Sequence, residues 1–252
     1  MSALFNLKGK VAIVTGARKG LGFGIAEGLA EAGADIVGVG PIAMPELEKS
    51  VMSLGRKFLF VEADLISQER VPAIVEDTIK KFAGVDILVN NAGIIRRADL
   101  LDFTEKDWDD VININLKTVF FLSQAVAQQM KEQGRGGKII SVASLLSFQG
   151  GIRVPSYTSS KSGVMGLTKL MANELAKFNI QVNAIAPGYM ATDNTEALQK
   201  DPVRSKEILT RIPANRWGMP DDLKGAAIFL ASKASDYVTG HTIAVDGGWL
   251  AR

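Results

Sequence analysis

The sequence predicts a doubly wound α/β fold, one parallel sheet of about seven strands with helices on both faces. Three observations carry that prediction. Short β-branched, apolar runs recur along the chain. Segments of helical periodicity separate them. A glycine-rich turn joins the first run to the first helical segment.

The runs are VAIVTG (11–16), ADIVGVG (34–40), KFLFVEADL (57–65), VDILVNNAG (85–93), GKIISVAS (137–144), IQVNAIAPG (180–188) and HTIAVDGG (241–248). They are nearly continuous in apolar residues rather than alternating, as expected of strands covered on both faces. Helical periodicity falls at about 21–32, 68–82, 104–132, 156–177 and 221–232. Strand and helix alternate to the end, so residues 1–252 read as one domain with right-handed crossovers. The least regular stretch, 188–220, is a candidate substrate lid, because long insertions in compact domains are often functional loops.

Composition narrows the chemistry. The chain has 252 residues, 47% of them apolar, enough for a large core. With 29 Lys and Arg against 27 Asp and Glu, the net charge is +2, and no basic stripe with interleaved aromatics suggests nucleic acid. The absence of cysteine excludes disulfides, thiolate catalysis and Cys-ligated zinc, and fits a cytoplasmic protein. The single histidine, His241, makes a His-rich metal site or a Ser-His-Asp triad hard to build, and it reads as structural. No signal peptide or membrane-spanning run is expected.

TGARKGLG follows the first strand and opens the first helix. Glycine is needed where backbone turns tightly and where a phosphate approaches the main chain. The helix N-terminus adds unpaired N–H groups and partial positive charge. In its strand-to-helix context the motif predicts a Rossmann-like dinucleotide site, with Gly16, Arg18, Lys19, Gly20, Leu21 and Gly22 as candidate cofactor contacts. An acidic residue ending the second strand would mark NAD, but Gly40 stands there. No arginine follows to mark NADP, while Lys19 could meet a 2′-phosphate.

SYTSSK (156–161) places Tyr157 and Lys161 four residues apart, on one helical face. An isolated pair of this kind is usually a solvated helical turn. A free phenol titrates near pH 10, and a neighbouring ammonium favours the phenolate, so Lys161 is expected to lower the Tyr157 pKa. Tyr157 then suits a general acid/base. Ser144, at the end of a strand, is placed to bind the same substrate oxygen.

TGARKGLG, NNAG (90–93), Asn115 in NINLKTVFF, Ser144 in SVAS, the Tyr157–Lys161 pair and APG (186–188) occur in this order. Together they closely resemble the short-chain dehydrogenase/reductase family over essentially the whole chain. The resemblance implies a catalytic set of Asn115, Ser144, Tyr157 and Lys161. Lys161 would also bind the nicotinamide ribose, and Asn115 would hold a water of the proton relay. Asp64 and Leu65 would flank adenine, and Asn91, Ala92 and Gly93 would line the adenosine side. Pro187, Gly188 and Thr192 would lie near the nicotinamide. The resemblance also implies a homotetramer, which the apolar stretch 237–252 suits.

The substrate is read from local chemistry. Arg96 and Arg97 follow the NNAG strand, and Arg153 lies four residues before Tyr157. Guanidinium suits bidentate carboxylate binding, so at least one of them is expected to recognise an anionic substrate beside Ser144 and Tyr157. NNAGIIRR, GGIRVPSYTSSKSGVMGLTK and NAIAPGYMATDNT resemble a branch acting on keto-deoxy sugar acids, mostly with NAD. NAD is thus the expected cofactor, with NADP possible. Gluconate dehydrogenases and ketoacyl-thioester reductases are the enzymatic alternatives. A dinucleotide-binding redox sensor is the non-enzymatic one, although a sensor would normally lack part of the catalytic set.

Overall fold

The computed structural model describes residues 2–252. Each apolar run contains a strand: β1 (Val11–Thr15), β2 (Asp35–Gly40), β3 (Phe58–Glu62), β4 (Ile87–Asn90), β5 (Gly137–Val142), β6 (Ile180–Pro187) and β7 (Thr242–Val245). They form one parallel sheet in the order β3-β2-β1-β4-β5-β6-β7. β1 pairs with β2 on one side, Val11 opposite Asp35, and with β4 on the other, Ala12 opposite Ile87. Strand order therefore reverses between β1 and β4. A crevice outside the strands' carboxyl ends at such a reversal is where ligands bind in this class of sheet.

The helices are α1 (Gly20–Glu31), α2 (Pro45–Ser53), α3 (Val71–Phe82), α4 (Glu105–Ile112), α5 (Thr118–Gln133), α6 (Pro155–Leu175), α7 (Glu196–Lys200), α8 (Pro202–Arg211) and α9 (Lys224–Ala231). Two apolar cores result. One places Ile25 and Leu29 of α1, Leu47 and Val51 of α2, and Leu230 of α9 against one sheet face. The other places Ile74 of α3, Val126 and Met130 of α5, and Met171 of α6 against the opposite face. With both faces covered, all five residues of β1 are buried, which is why its side chains do not alternate with polar ones.

The segment 104–132 departs from one continuous helix. Thr104 caps α4 by accepting the Asp107 N–H at 3.1 Å, but a π-helical turn, Asn113–Lys117, separates α4 from α5. Such turns are rare and often mark functional positions. This one carries Asn115, which is wholly buried.

The 188–220 segment is ordered as a flap with paired ends. Gly218 N–H donates to Tyr189 C=O at 2.9 Å, and Ala191 N–H to Gly218 C=O at 2.7 Å. Between those ends lie α7 and α8. Ile208 and Ile212 pack with Leu145 and Trp249 in a small core of their own.

The amino ends of the strands are held by charge. Buried Asp86 accepts from Val11 N–H at 3.0 Å, Lys10 Nζ at 3.2 Å and Arg135 Nε at 3.0 Å. These groups lie at the opposite end of the sheet from the ligand crevice.

Candidate active site

The glycine turn joins β1 to α1 in the predicted place. Gly16 and Gly20 adopt φ of 64° and 59°, a region that side chains disfavour. A methyl group on Gly22 would lie 2.4 Å from both Gly16 O and Asn91 Nδ2, so that glycine lets the helix close on the turn. Gly20 differs. The nearest atom to a methyl there is Thr192 Cγ2 at 3.6 Å, which leaves its front face open. Lys19 precedes α1 without a side-chain cap, so the first helical N–H groups stay available to an anion. An open, uncapped helix start behind a left-handed glycine fits a dinucleotide pyrophosphate.

Neighbouring strand ends complete that crevice. Asn91 Nδ2 donates to Thr15 O at 2.9 Å and Gly16 O at 3.1 Å. Ala92 N–H donates to Thr15 Oγ1 at 3.0 Å. Asn91 thus spends its amide hydrogens on fixing the glycine turn. Beyond β3, exposed Asp64 accepts the Ile66 N–H at 3.0 Å, and buried Leu65 offers its carbonyl to Thr118 Oγ1 at 2.8 Å. Pro187 ends β6 with Gly188 beside it, and Thr192 faces Gly20. Lys19 is ion-paired with Asp193 of the flap.

Ser144, Tyr157, Lys161 and Asn115 converge at the carboxyl end of β5. Lys161 Nζ donates to Val142 O at 2.6 Å. Ser147 Oγ donates to Lys161 O at 2.7 Å and accepts Ser144 N–H at 3.3 Å, which sets the serine turn against α6. Asn115 Oδ1 accepts Ile94 N–H at 2.9 Å, and its Nδ2 donates to Ile94 O at 2.9 Å and Ser160 Oγ at 3.3 Å. A methyl on Gly93 would lie 3.1 Å from Asn115 Oδ1 and 3.7 Å from Lys161 Nζ. Gly93 therefore keeps the space between those two groups open.

The expected electrostatic partnership is different in the structure. Burial pushes the Tyr157 phenol above its ordinary pKa, while the Ser144 hydroxyl, hydrogen-bonded to it, and the Arg97 guanidinium pull it down. Lys161 does not supply the lowering charge. Its Nζ stands 5.7 Å from the Tyr157 ring centroid and is drawn to the Val142 carbonyl. A shared helical face brings the two residues to the site, but the direction of the ammonium is set by β5.

Tyr157 opens onto a cleft of about 510 Å³ between the β5–α6 connection and the flap. That volume suits a small organic ligand. Arg97 lines the cleft, whereas Arg96 and Arg153 do not. Arg96 is held by Asp107 and Asp110, each at 3.4 Å. Arg153, at φ 64°, pairs with Asp99 at 2.9 Å. Their placement in sequence beside the site is therefore not placement in it. The cleft instead gains Arg204, Glu207 and Arg211 from the flap, together with Gln149 and Trp249. A helical signal for this face was present, since Arg204, Glu207, Ile208 and Arg211 recur at spacings of three and four. Ser147, the link between Ser144 and Lys161, had no such signal. A smaller cavity of about 150 Å³ lies behind the flap, lined by Gly188, Ile212 and Asp246 and not by Tyr157.

Residues 16–250 match the family model described as enoyl-(acyl carrier protein) reductase. Two relatives named 2-dehydro-3-deoxy-D-gluconate 5-dehydrogenase, from Dickeya dadantii and Escherichia coli, are each 64% identical over 98% of both chains. The chain belongs to the short-chain dehydrogenase/reductase family. A crystal structure from Agrobacterium tumefaciens, assigned as a 2-deoxy-D-gluconate 3-dehydrogenase and holding NADP, superposes with a TM-score of 0.94. It is 53% identical over 99% of both chains. Among the described residues no group of three or more potential metal ligands occurs, and no helix is long and apolar enough to cross a membrane.

One consequence of the short-chain dehydrogenase geometry concerns stability. Burial lowers the Lys161 pKa from 10.5 to about 8. The unfolded chain then holds this proton more tightly, so the penalty on the fold is complete below pH 8 and fades between pH 8 and 10.5. Lys161→Met is expected to abolish most turnover yet stabilise the fold at pH 7 by about 1–3 kcal/mol, after loss of the Val142 hydrogen bond. Denaturant titrations should show the gain shrinking as pH rises towards 10.5. A variant less stable than the parent at pH 7 would contradict this.

Proposed function

We propose that this chain is an NAD(H)-dependent oxidoreductase of keto-deoxy sugar acids, with the activity of a 2-dehydro-3-deoxy-D-gluconate 5-dehydrogenase. The observation that carries this reading is the Tyr157–Ser144 pair opening onto a cleft whose walls bear Arg97, Arg204 and Arg211. Guanidinium groups in its walls suit a carboxylate. The names of the two relatives at 64% identity support the same substrate class.

The residues divide the work. Bound at the glycine turn, the dinucleotide supplies or accepts the hydride. Gly16, Arg18, Lys19, Gly20, Leu21 and Gly22 would hold its phosphates and the adjoining ribose. Asp64, Leu65, Asn91, Ala92 and Gly93 would line its adenosine half, and Pro187, Gly188 and Thr192 its nicotinamide half. Tyr157 gives a proton to the substrate oxygen during reduction and takes it during oxidation. Burial favours the neutral phenol, which is the donor form. The Ser144 hydroxyl and Arg97 act in the other sense and ease loss of that proton. Ser144 orients the same oxygen, and Arg97 binds substrate beside it. Lys161, poised near pH 8, faces the open space at Gly93 from one side and Asn115 from another. A ribose hydroxyl and a relay water are proposed to occupy that space. The 188–220 flap closes the cleft as a substrate lid.

A panel of keto sugar acids and acetoacetyl thioesters, assayed with NADH and NADPH, tests the assignment. The highest kcat/KM is expected with NADH and 3-deoxy-2,5-diketogluconate. The NAD preference rests on resemblance to the sugar-acid branch, on the lack of an arginine after Gly40, and on the pairing of Lys19 with Asp193. A kcat/KM about tenfold higher with NADPH, a difference of about 1.4 kcal/mol, would overturn it. Preference for the thioester would overturn the substrate class.

Tyr157→Phe should keep the ring packing and the affinity for NADH while lowering turnover at least 100-fold, within the usual contribution of about 10²–10⁴ for proton transfer. Retention of more than about a tenth of the activity would remove Tyr157 from the acid/base role.

A homotetramer in the cytoplasm is proposed as the working form. β7 is an edge strand whose outer side lacks a strand partner, and Tyr237 just before it is fully exposed. Sedimentation at micromolar concentration should give four subunits, and a monomer would exclude the proposal.

A further inference from the structure

The turn after β7 and the last turn of α8 form one unit that the proton-transfer chemistry does not use. Asp246 builds the turn, its Oδ1 accepting Gly248 N–H at 2.9 Å and its Oδ2 accepting Leu250 N–H at 2.9 Å. Gly247 and Gly248 take φ of 64° and 91°. A methyl on either would approach Ile212 or Pro213 to 2.9 Å, so the turn lies tight against the chain leaving α8. Ala214 N–H completes the seam by donating to Gly247 O at 3.0 Å.

Trp249, 5% exposed, projects from this turn into the cleft wall. The guanidinium carbon of Arg211 lies 4.0 Å from the Trp249 ring centroid. Arg211 Nη2 donates to Gln149 Oε1 at 3.3 Å, on the connection that also carries Ser144. The Arg211 main chain is held too. Arg252 donates through Nε to Arg211 O at 3.2 Å and through Nη2 to Thr210 O at 2.7 Å. These are carbonyls of the last helical turn, which have no partner within the helix.

Arg211 is also distinguished by its charge balance. Arg204, on the same helix face, is neutralised by Glu207 at 2.6 Å. Arg96 and Arg153 are paired with aspartates. Among the described residues no carboxylate pairs with Arg211, although it lines the cleft. A guanidinium stacked on an indole keeps its in-plane N–H groups for a planar, bidentate anion. Arg97 lines the same cleft and acts on the Tyr157 phenol through its charge. In a 3-deoxy sugar acid oxidised at C5, the carboxylate is four carbon–carbon bonds from the reacting carbon. A cation on the flap wall of the cleft suits it.

We propose that Arg211, stacked on Trp249 and pinned by Arg252, recognises the substrate carboxylate from the flap wall of the cleft. This rests on the sugar-acid reading above. The carboxylate would then be the group that draws α8 onto the substrate, coupling recognition to closure of the flap.

Steady-state kinetics of Arg211→Gln test the proposal. Two substrates are compared, the keto sugar acid and its neutral counterpart with a primary alcohol in place of the carboxylate. For the acid, KM should rise about 10- to 150-fold with little change in kcat, since a hydrogen bond to a charged group is typically worth that much. For the neutral compound, already poor with the parent, the variant should lose little more. Arg211→Lys should recover only part of the loss, because an ammonium cannot make the forked contact. NADH affinity should stay at the parental value. An unchanged KM for the acid overturns the proposal. An equal loss on both substrates also overturns it, and shows that Arg211 only supports the flap. A parent that prefers the neutral compound to the acid overturns the sugar-acid reading and this proposal together.

Discussion

The site depends first on a buried ammonium held to a strand. Lys161 Nζ reaches Val142 O at 2.6 Å, and that contact ties α6 to the carboxyl end of β5. It fixes the depth of α6, and with it the position of Tyr157 one turn earlier. Ser147 adds the reciprocal constraint by donating to Lys161 O at 2.7 Å, so the strand end, the serine turn and the helix share one register. The cost is the desolvation of a cation, visible in a lysine pKa brought down to about 8. A group poised there can hold or release a proton near neutrality, which a surface lysine cannot do.

The sheet separates this end from one held by charge pairs. Asp86, Lys10 and Arg135 clamp the amino ends of β1 and β4. Lys138, at the amino end of β5, reaches Asp236 at 2.8 Å. Those pairs satisfy charge and carry no chemistry. At the carboxyl ends, polar groups are instead left facing open space: the start of α1, the gap at Gly93, and the cleft in front of Tyr157. The parallel arrangement makes this division possible, because every strand delivers its carboxyl end to the same edge.

The flap spans the two halves of the crevice. Its first part meets the glycine turn, through Thr192 against Gly20 and Asp193 with Lys19. Its second part, α8, meets the catalytic side through Arg211, Gln149 and the Trp249 turn. One short segment thus touches both the glycine turn and the cleft in front of Tyr157. Its ends are paired at Tyr189 and Gly218.

From the sequence alone come the strands, their parallel arrangement, the glycine turn and the Tyr157–Lys161 face. Each rests on local periodicity or on a backbone conformation that only certain residues adopt. The sequence also placed Ser144 at the end of a strand, while Asn115 was picked out only by the family resemblance. It did not reveal α2 or the helices of the flap as separate elements, because short amphipathic stretches in polar surroundings give weak periodicity. Nor did it show the π turn at Asn115, which is fixed by contacts with Ile94 and Ser160 far along the chain. Only the tertiary structure decided which arginines face the cleft. Arg96 and Arg153 stand beside the motifs but are taken by Asp107, Asp110 and Asp99, whereas Arg211 arrives from a distant helix. It likewise decided that burial raises the Tyr157 phenol, and that the Ser144 hydrogen bond and the Arg97 charge, not Lys161, act against that rise. The direction of a long, flexible side chain is set by the nearest unsatisfied partner in space, and sequence spacing carries no record of that partner.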